Sequence, residues 1–172
     1  MTESCLILIK PDGIIKSLTG NIITALSETR LKIIGAKVIR PKRETVEKHY
    51  ENHKAKPFFN ELVDYLMGKY HTDRVLALIY NGDNAIEKIR KIVGGANPED
   101  AEAMTIRNRY GRINSKTKVF ENVIHASDCK EAAEREIKLW FAPNEIVETI
   151  YPTKNETFKN SGEQEIKIYK WA

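Results

Sequence analysis

Asn122-Val123-Ile124-His125-Ala126-Ser127-Asp128 is the stretch on which the reading of this 172-residue chain turns. Val123 and Ile124 are β-branched and favour an extended strand. Asp128, with Glu131 three residues on, has the form of a capping box that starts a helix. Ala132, Ala133, Ile137, Trp140 and Phe141 then supply the apolar side of that helix. His125 therefore stands where a strand ends and a helix is about to begin, an edge from which an imidazole can reach a ligand.

Working outward, Ser4 to Ile9 is a short apolar run closed by Lys10-Pro11-Asp12-Gly13, which predicts a buried strand ending in a turn, with Lys10 at its end. Ile22, Ile23 and Leu26 recur at helical spacing, and Ile33 to Ile39 is strand-like. Glu44 to His49 and Phe58 to Met67 read as helices, and Val75 to Tyr80 as a strand. Ala85 to Val93 reads as a helix stopped by Gly94-Gly95. Asn97 to Thr117 reads as a long polar loop. After Pro143 the chain is loop-like, and Glu165 to Trp171 fits either a late strand or a segment docked on a neighbouring subunit. This order of elements predicts an α+β class, helices on a mainly antiparallel sheet, and one domain over 1–172.

Composition narrows the function classes. A 41% hydrophobic content can bury a core without staples, and the two cysteines, Cys5 and Cys129, are too few for a disulfide framework, which points to a reducing compartment, the cytoplasm. The apolar run near the amino end is far too short for a signal core or a membrane span. A net charge of +4 suits phosphate-bearing ligands. The basic stretch from Arg107 to Lys118 is too short to argue for nucleic acid as the partner.

By itself a strand-end histidine reads first as a hydrogen-bonded structural residue. Its neighbours shift that balance. A neutral imidazole, with a reference pKa of about 6.5, offers an unprotonated nitrogen that can attack phosphorus near neutrality. Such a nucleophile needs its far nitrogen held by an acceptor. Glu136 is the candidate because it projects on the apolar side of its helix, and Ser127 could bridge the two. Phosphoryl transfer also demands converging cations, which Lys10, Arg90 and Arg107 could supply from element ends. Gly94-Gly95 has neither P-loop nor dinucleotide spacing, so phosphate binding would rest on side chains.

These residues fall into a larger pattern. Lys10-Pro11-Asp12-Gly13, His49-Tyr50, Lys56-Pro57-Phe58-Phe59, Gly95-Ala96-Asn97-Pro98, Thr105-Ile106-Arg107, the stretch quoted above and Glu136-Ile137-Lys138-Leu139-Trp140-Phe141 occur in the order seen in nucleoside diphosphate kinases, which the sequence resembles from Ile7 to about Val147. The resemblance implies a ferredoxin-like sandwich, four antiparallel strands with helices on one face. It implies a ping-pong exchange of the terminal phosphate between nucleoside triphosphates and diphosphates through a phosphohistidine at His125, on the ring nitrogen nearer the backbone, with Glu136 and Ser127 orienting it. Lys10, Tyr50, Arg90, Arg107 and Asn122 would hold the phosphates and the sugar hydroxyl. Phe58 would stack the base beside Leu62 and Val119, with little base specificity.

Mg2+ would arrive on the nucleotide phosphates without a dedicated protein site. Homo-oligomers, hexamers or tetramers, are typical of the family. Four departures stand out. Ala96 replaces a common threonine, Asn108-Arg109-Tyr110 replaces the usual Gly-Asp-Phe, and an enlarged loop at about 108–118 and an extension at about 148–172 add to the chain. The competing class is a non-catalytic nucleotide- or nucleic-acid-binding protein on the same scaffold.

Overall fold

The computed structural model describes residues 2–159 and 165–172. In chain order it builds β1 (Thr2–Ile9), α1 (Pro11–Ile15), α2 (Thr19–Ser27), β2 (Lys32–Ile39), α3 (Arg43–His49), α4 (Phe59–Leu66), β3 (Val75–Asp83) and α5 (Ala85–Val93). There follow α6 (Ile106–Tyr110), β4 (Arg112–Ile113), β5 (Phe120–Glu121), β6 (Ile124–Ala126), α7 (Lys130–Trp140), β7 (Thr153–Lys159) and β8 (Glu165–Trp171).

Four strands form one sheet in the order β2-β3-β1-β6, every neighbouring pair antiparallel. This four-stranded antiparallel sheet agrees with the ferredoxin-like sandwich that the resemblance implies. The helices, however, cover both faces and not one. Cys5, Ile7 and Ile9 of β1 pack with Ile22 and Leu26 of α2 and Ile86 and Ile89 of α5. Leu6 and Leu8, on the opposite face, pack with Val46 of α3, Val63 and Leu66 of α4, and Ile137 and Trp140 of α7. The cause is the unbroken apolar run of β1, whose residues Cys5 to Ile9 are all fully buried, a pattern that a strand with one wet face would not carry.

Other differences are local. Pro11 opens a short helix where a turn was expected, because proline at the first helical position has no amide to lose. Part of the expected loop after Asn97 is ordered as α6 and as the β4–β5 hairpin. The cap of α7 is Cys129, whose Sγ accepts from the Ala132 amide, and not Asp128, so the helix begins one residue later than the capping-box reading. Phe141 closes α7 in an extended conformation and is buried there.

In the carboxyl-terminal extension, of which 160–164 lie outside the described residues, β8 pairs antiparallel with β7. The Trp171 indole donates to the Phe141 carbonyl at 2.7 Å, so this end of the chain clasps its own core. No helix among the described residues is long and apolar enough to cross a membrane.

Candidate active site

The register of β6 on β1 pairs Leu8 with His125 and Ile9 with Ile124. Residues directly opposite in a sheet share a face, so His125 points to the side where α3 and α7 stand, while Ile124 and Ala126 enter the other core. Its entry is set by a kink at Val123, which holds φ 59, an outlier for a β-branched residue. Asp12 pins this kink by accepting from the Val123 amide at 3.1 Å, and the Val123 carbonyl accepts from the Lys10 amide at 2.9 Å. Val123 was expected as a plain strand residue. It is instead a strained hinge of about 1–3 kcal/mol held by its neighbours.

The His125 side chain is 18% exposed, and its Nε2 lies 2.9 Å from Oε2 of Glu136. The same oxygen accepts from the Ser127 hydroxyl at 2.6 Å, and Ser127 Oγ in turn accepts from the Leu6 amide at 3.1 Å. Glu136 is 4% exposed and Ser127 fully buried, so these bonds are shielded from competing water. A carboxylate facing Nε2 places the ring proton there. Nδ1, the nitrogen nearer the backbone, is left with an open lone pair and no hydrogen-bond partner among the described residues.

The cations gather from separate elements. Lys10 is buried, donates to Oδ1 of Asn122 at 2.7 Å, and lies 5.3 Å from the ring centroid of Tyr65. Burial, reinforced by the charge of Arg107 and opposed by Asp12, pushes its ammonium down from 10.5 to about 7. Asn122 also donates to the carbonyl of Ala96 at 2.8 Å, so the backbone there serves even though the residue lacks a hydroxyl.

Arg107 is 8% exposed. Its guanidinium donates to the Ile124 carbonyl through Nε and Nη2 and to the Gly94 carbonyl through Nη1. Burial, then the nearby charge of Arg90, lowers its pKa to about 10, so it stays charged at neutral pH. Arg90 stands exposed in the last turn of α5. Two buried cations with a third beside them and no carboxylate bound to them form a preformed anion site.

Tyr50 is 7% exposed with its hydroxyl buried and unpartnered, a polar atom that a ligand could satisfy. Phe58 caps α4 with half its surface exposed (51%), while Phe59, about a third of a turn round, packs on the core. Leu62 lies one turn further along α4, partly buried. A succession of rings joins this rim to His125. Phe58 lies 6.0 Å from His53, His53 is 6.3 Å from Tyr50, Tyr50 is 4.7 Å from His49, and His49 is 4.4 Å from His125.

Val119 sits at the base of the β4–β5 hairpin, where its carbonyl accepts from the Asn114 amide. Glu121, 2% exposed, anchors that hairpin by accepting from Arg112 at 2.6 Å and Asn114 at 2.7 Å. The enlarged loop is thus tied down beside Asn122 and is not a free solvated insertion.

Sequence reasoning gave no role to His49, Asp12, His53 or Glu121. A ring nitrogen of His49, one of His125 and an oxygen of Glu136 lie within 4.8 Å of one another. Nδ1 of His49 already accepts from Trp140, and Glu136 Oε2 already serves His125 and Ser127, so these atoms are engaged in hydrogen bonds. The open cavity of about 530 Å3 beside Arg90 is lined by Glu3, Glu87, Asp128 and Glu131 together with Arg90 and Lys130, a surface with an acidic excess that disfavours phosphate.

Comparison with known proteins agrees with this geometry. The family model for nucleoside diphosphate kinase matches residues 3–146. The nucleoside diphosphate kinase of Pyrococcus horikoshii is 44% identical over 161 residues, covering 94% of this chain and 98% of its own. Among solved structures, that of Halobacterium salinarum nucleoside diphosphate kinase in complex with CDP is 34% identical with a TM-score of 0.77, covering 87% of this chain and 94% of its own. A transition-state mimic of the Borrelia burgdorferi enzyme with bound vanadate and ADP is 28% identical with a TM-score of 0.77, covering 87% of this chain and 92% of its own. The chain belongs to the nucleoside diphosphate kinase family of phosphotransferases.

Proposed function

We propose that the chain exchanges the terminal phosphate between nucleoside triphosphates and diphosphates through His125. The observation that carries this reading is the division of labour on one ring, with Nε2 held by Glu136 and Nδ1 without a partner among the described residues, while the buried cations Lys10 and Arg107 bond to Asn122, Val123 and Ile124 just before it. The Nδ1 lone pair attacks the γ-phosphorus, a P–N bond forms, and the bond to the bridging oxygen breaks with its electron pair leaving on the diphosphate. Positive charge that develops on the imidazole is met by Glu136 through the Nε2 proton. A second nucleoside diphosphate then attacks the same phosphorus in reverse.

Lys10, Arg90 and Arg107 neutralise the phosphates, and Tyr50 and Asn122 meet the sugar and phosphate oxygens. Phe58 stacks the base, with Leu62 and Val119 beside it. Stacking discriminates weakly, so donor and acceptor share one pocket. Mg2+ comes coordinated to the nucleotide phosphates, since this ion keeps much of its water and is bound through substrate phosphates. We place the protein in the cytoplasm as a homo-oligomer, a hexamer or tetramer, with 1–172 acting as one unit.

The test is incubation with ATP labelled in the γ-phosphate. Wild-type protein acquires acid-labile, alkali-stable label that chases into added nucleoside diphosphate, and His125→Ala acquires none while keeping its melting temperature. Label retained by a folded His125→Ala variant would place the nucleophile elsewhere.

A further inference from the structure

His49 ends α3 in a position that an apolar ring could fill, since it is 3% exposed and packed edge-on against three rings. Its polarity has a use. The Trp140 indole, which can only donate, points its Nε1–H at Nδ1 of His49 at 3.2 Å. Nδ1 is therefore an acceptor, and the proton of a neutral imidazole must sit on Nε2. A doubly protonated His49 would set two N–H groups against each other. Nε2 is buried and has no acceptor among the described residues, and the nearest ring to His49 is that of His125, at 4.4 Å and 77°.

The groups facing His49 are Lys10 from the junction of β1 and α1, Tyr50 and His53 from the segment after α3, His125 from β6, and Arg135, Glu136 and Trp140 from α7. Burial and the surrounding cations act with the indole to hold the ring uncharged, well below the usual imidazole range.

We propose that His49, locked by Trp140 as a neutral Nε2–H imidazole, is a positioning residue that fixes the plane of the His125 ring so that Nδ1 stays in line with the incoming phosphorus. Glu136 holds one point of that ring, and a single hydrogen bond leaves it free to tilt about the Nε2 to carboxylate axis. The edge-on contact from His49 removes that tilt. A neutral wall is required there, because a charged one would add a second cation beside a ring that must itself become positive. This inference rests on His125 being the phosphate carrier, and His49 acts through it without touching the nucleotide.

Two variants and one spectrum test it. His49→Phe keeps a ring but offers Trp140 no acceptor, and His49→Gln restores an acceptor for the indole and an N–H. Rapid-quench measurement with labelled ATP should show phosphohistidine formation at saturating ATP slowed about tenfold or more in both variants, because His49→Phe loses the anchor to the indole and His49→Gln loses the ring set edge-on against His125, with ATP affinity within about twofold of wild type in both. A merely structural loss would move melting temperature and affinity together with the rate.

In wild-type protein, two-bond 15N–1H spectra should report the His49 proton on Nε2 and no titration of His49 across the range where free imidazole titrates. Equal rates in His49→Phe and wild type, an effect on affinity alone, or a proton on Nδ1 of His49 overturns the proposal. Wild-type protein that forms no phosphohistidine at all overturns instead the assignment of His125 as carrier, while the His49 tautomer remains measurable.

Discussion

With Lys10 set against the nucleotide phosphates as proposed, binding becomes a proton-uptake reaction. Its ammonium is buried beside Arg107, and its pKa falls from 10.5 to about 7 because burial and that like charge outweigh the pull of Asp12. At pH 8 only ~10% of free protein carries the proton on Lys10. A bound triphosphate brings several negative charges against the amine and restores the charged form. Binding at pH 8 should therefore take up ~0.9 proton, the fraction of Lys10 left uncharged beforehand. The phosphates are fully ionised at pH 8 and contribute no proton there. Isothermal titration of ADP in buffers of differing ionisation enthalpy reads the number from the slope of heat against that enthalpy. Uptake below about 0.2 proton at pH 8, or the same uptake in Lys10→Met, would refute the reasoning. The displacement also reaches stability. Native Lys10 releases its proton near 7 and the unfolded chain near 10.5, so the unfolded state holds more protons between those values. The penalty, on the order of 5 kcal/mol, is fully present below pH 7 and is relieved as pH rises towards 10.5.

Glu136→Gln keeps the shape that holds His125 but removes the charge that meets the developing imidazolium, and phosphohistidine formation should fall roughly 100-fold with ADP affinity little changed, as rapid-quench and titration would show. Gly94 holds φ +86, and a Cβ there would stand 2.3 Å from Thr105 Oγ1, so Gly94→Ala should lower stability by about 1–3 kcal/mol in urea unfolding and loosen Arg107, which donates to the Gly94 carbonyl. Trp171→Ala should lower stability by about 2 kcal/mol through the lost bond to Phe141 and the lost packing on Tyr151, leaving transfer at saturating nucleotide unchanged.

What the sequence disclosed of this molecule was what is local or periodic. The apolar run of β1, the helical spacing in α4 and α5, and the glycine stop at Gly94 can be read from neighbours alone. Glu136 was legible because a carboxylate on the apolar face of a helix needs a partner, and His125 lay close by in the chain. His49 and Asp12 were opaque for the converse reason. Their partners, Trp140 and Val123, lie 91 and 111 positions away, and nothing near either residue marks it. The same holds for α6, where five residues in a polar stretch are helical because Ile106 and Arg107 are buried by tertiary contacts. The β4–β5 hairpin likewise depends on one buried carboxylate, Glu121, which no spacing rule singles out.

The chemistry depends on a register more than on any one side chain. Because side chains alternate along a strand, sliding β6 by one residue along β1 would turn His125 into the core formed by Ile22 and Ile89, and bring Ile124 or Ala126 to the cleft. A three-residue strand has little pairing of its own with which to resist such a slip. The resistance comes from its two ends. Beyond Ala126, Ser127 both donates its amide to the Leu6 carbonyl and accepts the Leu6 amide on Oγ. Before Ile124, the kinked Val123 is gripped by the Lys10 amide and the Asp12 carboxylate. The clamps on either side of His125 are thus made by residues that also lie in or beside the site. Ser127 orients Glu136, and the Lys10 side chain holds Asn122. Substitution at these clamps therefore acts on register and chemistry together, and only a variant that keeps the backbone bonds, such as Lys10→Met, separates the two.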